Sequence, residues 1–366
     1  MRVVLDARPL SHPQAGGFRT YVRSLVQGLA ETGGRDEILL YLDRPVPEGT
    51  VPAAANFGVR ILDPSRLRTD FSLFARQVRR DRPDVVHGTM NYVPPVPGVP
   101  TTVTIHDALG IKPYPFIRVD RKLRSQAIYR YWALLTRRSA RAAREIITVS
   151  SAAAKELGDA LGRPADTFHV VHNGITLPAP SAPVRRSEDT VLAMASSDPR
   201  KNLGLLYRAL SAGAKLFAEP PCLHVVCTSP TVKARAERAL SEHGVPRYRL
   251  LCGLDDRALA DAYAAAAVFV WPSHREGFGL PPLEAMTCGC PVLSSSAPAM
   301  PEVLSDAARY FDHESPEDLA DKLRELLADA RGRQEMSRRG RAHAATFTCR
   351  RMAEQTLAVW RGVARG

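Results

Sequence analysis

The first 221 residues of this 366-residue chain contain no cysteine, and all six cysteines fall between Cys222 and Cys349. No C-x-x-C pair occurs, and Cys288-Gly289-Cys290 has no matching His or Cys cluster. Neither a zinc site nor a disulfide framework is expected, and the six read as reduced, mostly buried thiols. No run of 18 or more apolar residues is present, so no segment is expected to span a bilayer as a helix. The opening "MRVVLDARPL" reads as a first strand and lacks the n-region and long apolar stretch of a secretion signal. The expected location is cytoplasmic. Internal repeats and low-complexity tracts are also missing.

What is present has the balance of an ordinary globular protein, with 45% hydrophobic and 24% charged residues. The length suits two domains of about 170 to 180 residues each. The formal charge of +12 is uneven: residues 1–150 hold 23 basic and 13 acidic side chains, residues 151–366 hold 27 and 25. The first half therefore favours partners that carry phosphate or other anionic groups.

Short β-branched runs alternate with helical stretches throughout. Residues 2–7, 37–43, 58–63, 83–89, 101–107, 145–150 and 168–173 predict strands, interleaved with helices such as "FRTYVRSLVQGLAETG" and "DFSLFARQVRR". The alternation restarts with strands at 190–196, 222–229, 248–254, 267–273 and 291–296, and helices such as "KNLGLLYRALSAGAKLF" and "TVKARAERALSEHG". Apolar runs of four to six residues suit strands buried on both faces of a parallel sheet. The expected fold class is α/β, with two doubly wound, Rossmann-like domains facing each other across a cleft. The Pro- and Ser-rich "TLPAPSAPVRRSEDT" (176–190) marks the boundary. The first domain is expected at 1–175, completed by a last helix at 350–366, and the second at 176–349.

Four stretches carry candidate chemistry. "EGFGLPPLE" (276–284) follows the buried strand "AVFVWPS" and precedes a helix. Gly277 and Gly279 permit close backbone approach there, and a helix start attracts phosphate. Glu276 and Glu284 offer acceptors to vicinal hydroxyls, as in a sugar and a ribose. Acid capping of a helix's first turn would account for Glu284 alone. "SSDPRKNL" (196–203) puts Arg200 and Lys201 at a predicted helix start, where the dipole disfavours cations unless an anion is to be held. "QAGGFRTYV" (14–22) supplies a second close-approach turn at Gly16 and Gly17, without the G-x-G-x-x-G pattern. "TVTIHDALG" ends a strand with His106 and Asp107; a backbone-bonded His is the simpler account, a hydrogen-bonding or proton-transfer role the sharper one. In 118–144, nine basic residues face one acid, with Leu123, Ile128, Tyr131, Leu134 and Leu135 at helical spacing. The favoured account is a core-packed helix with a solvated arginine face; the alternative is contact with an anionic membrane.

In this order, these pieces resemble the retaining glycosyltransferases of family 4, which have the GT-B architecture. The resemblance covers nearly the whole chain and is densest over 253–312; bacterial mannosyl- and N-acetylglucosaminyl-transferases are the most similar members. It rests on the E-x7-E pair Glu276/Glu284 together with "DPRKN", the N-terminal "GG", "TIHD" and "VVHNGI". It implies transfer of a hexose or amino-hexose from a UDP- or GDP-linked donor to an acceptor hydroxyl, in glycan or natural-product biosynthesis. Glu276 would bind sugar hydroxyls and Glu284 the ribose diol; Arg200 and Lys201 would hold the diphosphate. Backbone N–H groups of Phe278, Gly279 and Leu280 would contact sugar and phosphate, as would Gly17, and His106 would lie near the transfer site. No metal or other cofactor is implied, and the chain has no D-x-D motif. The acceptor is a small molecule or a lipid-linked glycan, with peripheral contact at the inner membrane face as a further option. Two departures stand out: Arg275, where many relatives have an aromatic residue, and Trp271, where Phe or Tyr is commoner. A nucleotide-sugar 2-epimerase is the alternative activity. A nucleic-acid binder driven by the basic half is the remote one, because no aromatic-basic recognition motif accompanies the charge.

Overall fold

The structure is a computed structural model that describes residues 1–12, 16–65, 68–112, 123–182, 184–212, 217 and 219–366. Gln14 and Ala15 before Gly16, residues 118–122 of the basic stretch and 213–216 of an expected helix lie outside these, as do the side chains of Leu123 and Ile128. The chain forms two compact units, Met1–Thr176 with Phe347–Gly366, and Leu177–Thr346.

Unit 1 is built on seven strands, β1 (Arg2–Asp6), β2 (Glu37–Leu42), β3 (Phe57–Ile61), β4 (Val85–Gly88), β5 (Thr101–Thr104), β6 (Glu145–Thr148) and β7 (Phe168–Val170). Their order is β3-β2-β1-β4-β5-β6-β7, and every pair is parallel. The helices are α1 (Arg8–Ser11), α2 (Gly17–Thr32), α3 (Phe74–Asp81), α4 (Leu123–Ala142) and α5 (Ser151–Leu161). The central strands are fully buried: Val3, Val4 and Leu5 have no exposed surface. Helices on both faces force this, and the sequence answers with continuous apolar runs in place of alternation.

Unit 2 repeats the plan with β8 (Thr190–Ala195), β9 (Cys222–Cys227), β10 (Tyr248–Cys252), β11 (Val268–Trp271), β12 (Val292–Ser295) and β13 (Arg309–Phe311), ordered β10-β9-β8-β11-β12-β13 and again all parallel. Its helices are α6 (Leu203–Ala212), α7 (Pro230–Glu242), α8 (Asp256–Ala265), α9 (Leu280–Thr287), α10 (Ala299–Leu304), α11 (Pro316–Ala328) and α12 (Ala330–Ala344). The last helix, α13 (Cys349–Arg365), belongs to unit 1. It lies against α2 at Gly28, where a Cβ would come within 1.9 Å of the Cys349 carbonyl oxygen. Its Trp360 is fully buried with its ring 5.2 Å from that of His87.

Three expectations need correction. The edge strands β3 and β10 are largely open to solvent, not buried on both faces, because an edge has a neighbour on one side only. β13 is an added strand, too short at three residues to show a periodicity. In α4 the buried side is Thr136, Ser139 and Ala140, whereas Leu134 is 65% exposed. Of the stripe read from the sequence, Leu134 therefore departs from the packed side, whereas Tyr131 and Leu135 are half-buried. The helix meets its neighbours through Trp132, whose ring lies 5.5 Å from that of Tyr92, and through Ser139, whose Oγ accepts the Val93 N–H at 3.0 Å.

Candidate active site

In an open α/β sheet, ligands bind outside the C-terminal strand ends where the strand order reverses. In unit 2 that point lies between β8 and β11, and the loops 196–201 and 272–279 leave from it. The two loops are stitched together at one carbonyl. Arg200 O accepts the His274 N–H at 2.8 Å and the Ser273 hydroxyl at 3.0 Å.

Arg200 and Lys201 sit in a 3-10 turn (Pro199–Lys201), not at the start of a helix as expected; α6 begins at Leu203. Asp198 caps the turn by accepting the Arg200 N–H at 3.0 Å, and Asn202 ends it with φ +49°. This turn parts the two cations. Arg200 lies against Asp198, with Nε at 2.8 Å and Nη2 at 2.6 Å from the same oxygen. Burial opposes ionisation of Asp198, but the hydrogen bonds and charge of Arg200, aided by Lys201, outweigh it and hold the carboxyl below its ordinary range. Lys201 turns to the other loop, its Nζ 2.7 Å from Glu276 Oε1 and 4.6 Å from the centre of the Trp271 ring. An ammonium over an indole face is electrostatically attracted to it. Trp271, noted in the sequence only as a departure in packing, is thus the platform for Lys201. The aromatic character of that position was the available signal. A cavity of about 310 Å³, lined by Ser196, Asp198, Lys201, Tyr207 and Arg235 among others, opens beside the turn.

The glycine loop also differs in detail from its expected form. Gly279 is in the left-handed region, φ +93°, and N-caps α9, so glycine is required there. Pro281 and Pro282 contribute no N–H, which leaves the loop itself as the main donor surface at this helix start. Gly277 and Phe278 are buried and Leu280 is half-buried. Glu284 is the fifth residue of α9, and the first turn holds no acid, which removes the capping account of it. Glu284 is 9% exposed, and its carboxylate is close enough to Tyr263 and Cys288 to help push both upward, after the larger effect of their own burial.

In unit 1 the strand order reverses between β1 and β4. Gly16 precedes α2, no side chain caps that helix, and its first turn carries no acid. A Cβ at Gly16 or Gly17 would meet nothing within 4 Å, and Gly16 is extended. Neither backbone nor packing demands glycine at this turn. His106 is held by Thr89, whose carbonyl lies 3.0 Å from Nε2 and can only accept. The ring therefore carries its proton on Nε2, and Nδ1 is the acceptor. The edges of Phe18 and Tyr21 pack on it at 5.0 and 4.5 Å, and burial lowers its pKa.

A buried ion network just after β1 went unread in the sequence. Arg8, 5% exposed, places Nε 2.7 Å and Nη2 2.6 Å from the two Asp6 oxygens, Nη1 2.6 Å from Asp70 and Nη2 2.9 Å from the Tyr92 hydroxyl. Its partners lie up to 84 positions away, so no local pattern marks it.

Comparison with known proteins agrees over both halves. Residues 15–177 match the family described as Glycosyltransferase Family 4 and residues 180–343 that described as Glycosyl transferases group 1. The chain is 29% identical to an MMP alpha-(1->4)-mannosyltransferase of Mycolicibacterium hassiacum, over 98% of each chain. The fold matches that of a sucrose-phosphate synthase from Thermosynechococcus elongatus with a TM-score of 0.79 at 19% identity, covering 99% of this chain and 98% of that one. It also matches Anabaena Alr3699/HepE in complex with UDP-glucose, TM-score 0.72 at 16% identity, with 99% of each chain covered.

Proposed function

Since the chain belongs to the family 4 glycosyltransferases, enzymes that transfer glycosyl groups, we propose that it moves a hexose or amino-hexose from a nucleotide-diphosphate sugar to an acceptor hydroxyl, with retention at the anomeric carbon. The observation that carries this reading is the contact of Lys201 with Glu276 at a strand-order reversal, 2.7 Å apart. The carboxylate fastens sugar hydroxyls while the ammonium beside it faces the diphosphate. As the sugar–phosphate bond breaks, negative charge grows on the leaving oxygen and positive charge on the sugar. A cation already fixed by Glu276 and Trp271 stabilises that charge without reorganising. Arg200 and the loop N–H groups around Gly279 complete the diphosphate cradle, and Glu284 takes the ribose diol. His106, protonated on Nε2, accepts a hydroxyl hydrogen at Nδ1. In this reading the leaving phosphate oxygen takes the acceptor's proton as that hydroxyl attacks from the same face, and no metal or cofactor takes part. The mannosyltransferase relative makes mannosyl donors the first to test, and the neighbour in complex with UDP-glucose supports the donor class. The product is expected only when an acceptor hydroxyl is supplied. Lys201→Ala and Glu276→Ala should each lower turnover by about a hundredfold or more with thermal unfolding little changed. Wild-type turnover in either variant, or an isomerised donor formed without acceptor, would overturn the assignment.

A second reading concerns where the acceptor is met. No helix among the described residues is long and apolar enough to cross a membrane. The outer stripe of α4 nevertheless sets Leu134, 65% exposed, among exposed Arg130, Arg138 and Arg141. An apolar side chain ringed by guanidinium groups suits an anionic lipid surface. Co-sedimentation with phosphatidylglycerol vesicles that falls on adding salt and with Leu134→Asp supports this; equal binding to neutral vesicles argues against it.

A further inference from the structure

Two of the six cysteines are lateral neighbours at the C-terminal end of the unit 2 sheet. Cys252 closes β10 and is in register with Cys227, which closes β9. Strands pair at about 4.8 Å, inside the Cα separation of about 4.4 to 6.8 Å that a disulfide requires. Laterally paired residues present their side chains on the same face of a sheet, so the two thiols are neighbours there. Their exposures differ in a useful way: Cys252 is exposed, whereas Cys227 is 2% exposed. β10 is an edge strand paired only with β9, and Gly253, with φ +69°, follows it. The edge can therefore adjust without breaking a second ladder.

We propose that Cys227 and Cys252 form a dithiol site that a hydroperoxide closes to a disulfide and a small thiol reopens. The Cys252 sulfur attacks the peroxide, the O–O bond breaks, and Cys252 becomes a sulfenic acid as water leaves. The Cys227 sulfur then attacks the Cys252 sulfur; the S–O bond breaks and its oxygen departs as a second water, taking the Cys227 proton. Two thiols and one hydrogen peroxide thus give one disulfide and two waters. Burial, together with Cys252, pushes the Cys227 thiol up to about 12, which makes the exposed Cys252 the thiol that meets the oxidant and Cys227 the one that closes the bridge. The bridge would fix the spacing of the segments leading to Ser229 and Asp255, which cap α7 and α8. Buried Cys288 and Cys290 offer an oxidant no exposed partner.

The test is peptide mapping of the full chain after exposure to hydrogen peroxide and alkylation of remaining thiols. The expected result is a cross-linked peptide pair holding residues 227 and 252, two hydrogens lighter than its parts and lost on treatment with dithiothreitol. Cys252→Ser should leave Cys227 as a free thiol after the same exposure. Cys252 recovered as a sulfinic acid or in alkylated form, with no link to Cys227, would overturn the proposal. So would a link that dithiothreitol does not open.

Discussion

Lys201 shows how a single side chain acquires a role. Its ammonium is held from below by an indole and from the side by a carboxylate, and neither contact is local in sequence. Glycine at position 17 makes a complementary case. Its surroundings would admit a methyl group and its backbone does not need glycine, so Gly17→Ala should leave the melting temperature unchanged or slightly raised. If a phosphate or sugar approaches that turn, the same change should lower kcat/KM by about tenfold or more, since one methyl fills the approach distance. Steady-state kinetics beside a thermal melt checks both halves. Unchanged kcat/KM would remove Gly17 from the site.

At the scale of elements, the turn after β1 is anchored through Arg8. Two carboxylates, a tyrosine hydroxyl and the ring of Phe74, 5.6 Å away, surround a guanidinium with little access to water. Desolvation of Arg8 is the largest influence and works against its charge, yet Asp6, Tyr92 and Asp70 together keep it charged. Removing the cation leaves two carboxylates facing each other without compensation. Arg8→Met should therefore cost about 3 to 5 kcal/mol in chemical denaturation, far more than loss of an exposed ion pair. A cost below about 1 kcal/mol would show that the network is not a structural anchor. Helix α4 teaches the converse lesson. Its apolar residues suggested one packed stripe, but Leu134 of that stripe is exposed while Thr136, Ser139 and Ala140 are buried. Helical spacing shows which residues share a face; it does not show which face the sheet covers.

The whole molecule carries histidines that fold without their protons. Burial lowers His87 to about 3, between Thr102 and Thr104 hydroxyls, and lowers His106 in the same direction. The unfolded chain takes up protons near pH 6.5, where these folded sites still refuse them. Stability is therefore full above that pH and is lost as pH falls through it. The His87 contribution alone amounts to roughly 2 kcal/mol between pH 7 and pH 5. Urea titrations at the two pH values test this, and His87→Gln should flatten the difference. Equal midpoints at both pH values would contradict a buried neutral pair.

Both α/β arrays, the order of their strands along the chain and the loops that carry the candidate site were legible in the sequence. Each rests on a local signal: continuous β-branched runs for strands covered on both faces, and glycine or proline where the backbone must turn. Glu276, Lys201 and the glycines could be singled out for the same reason, since residue type and neighbours a few positions away sufficed. Which cation meets which carboxylate was decided by the fold, because a parallel crossover brings residues 201 and 276 together across 75 positions. The fold likewise joined Arg8 to Asp70 and Tyr92, set the tautomer of His106 through Thr89, and laid Cys252 beside Cys227. Those are pairings between distant strands and loops, whose register is set by how the layers pack and not by any pattern short enough to be read along the chain.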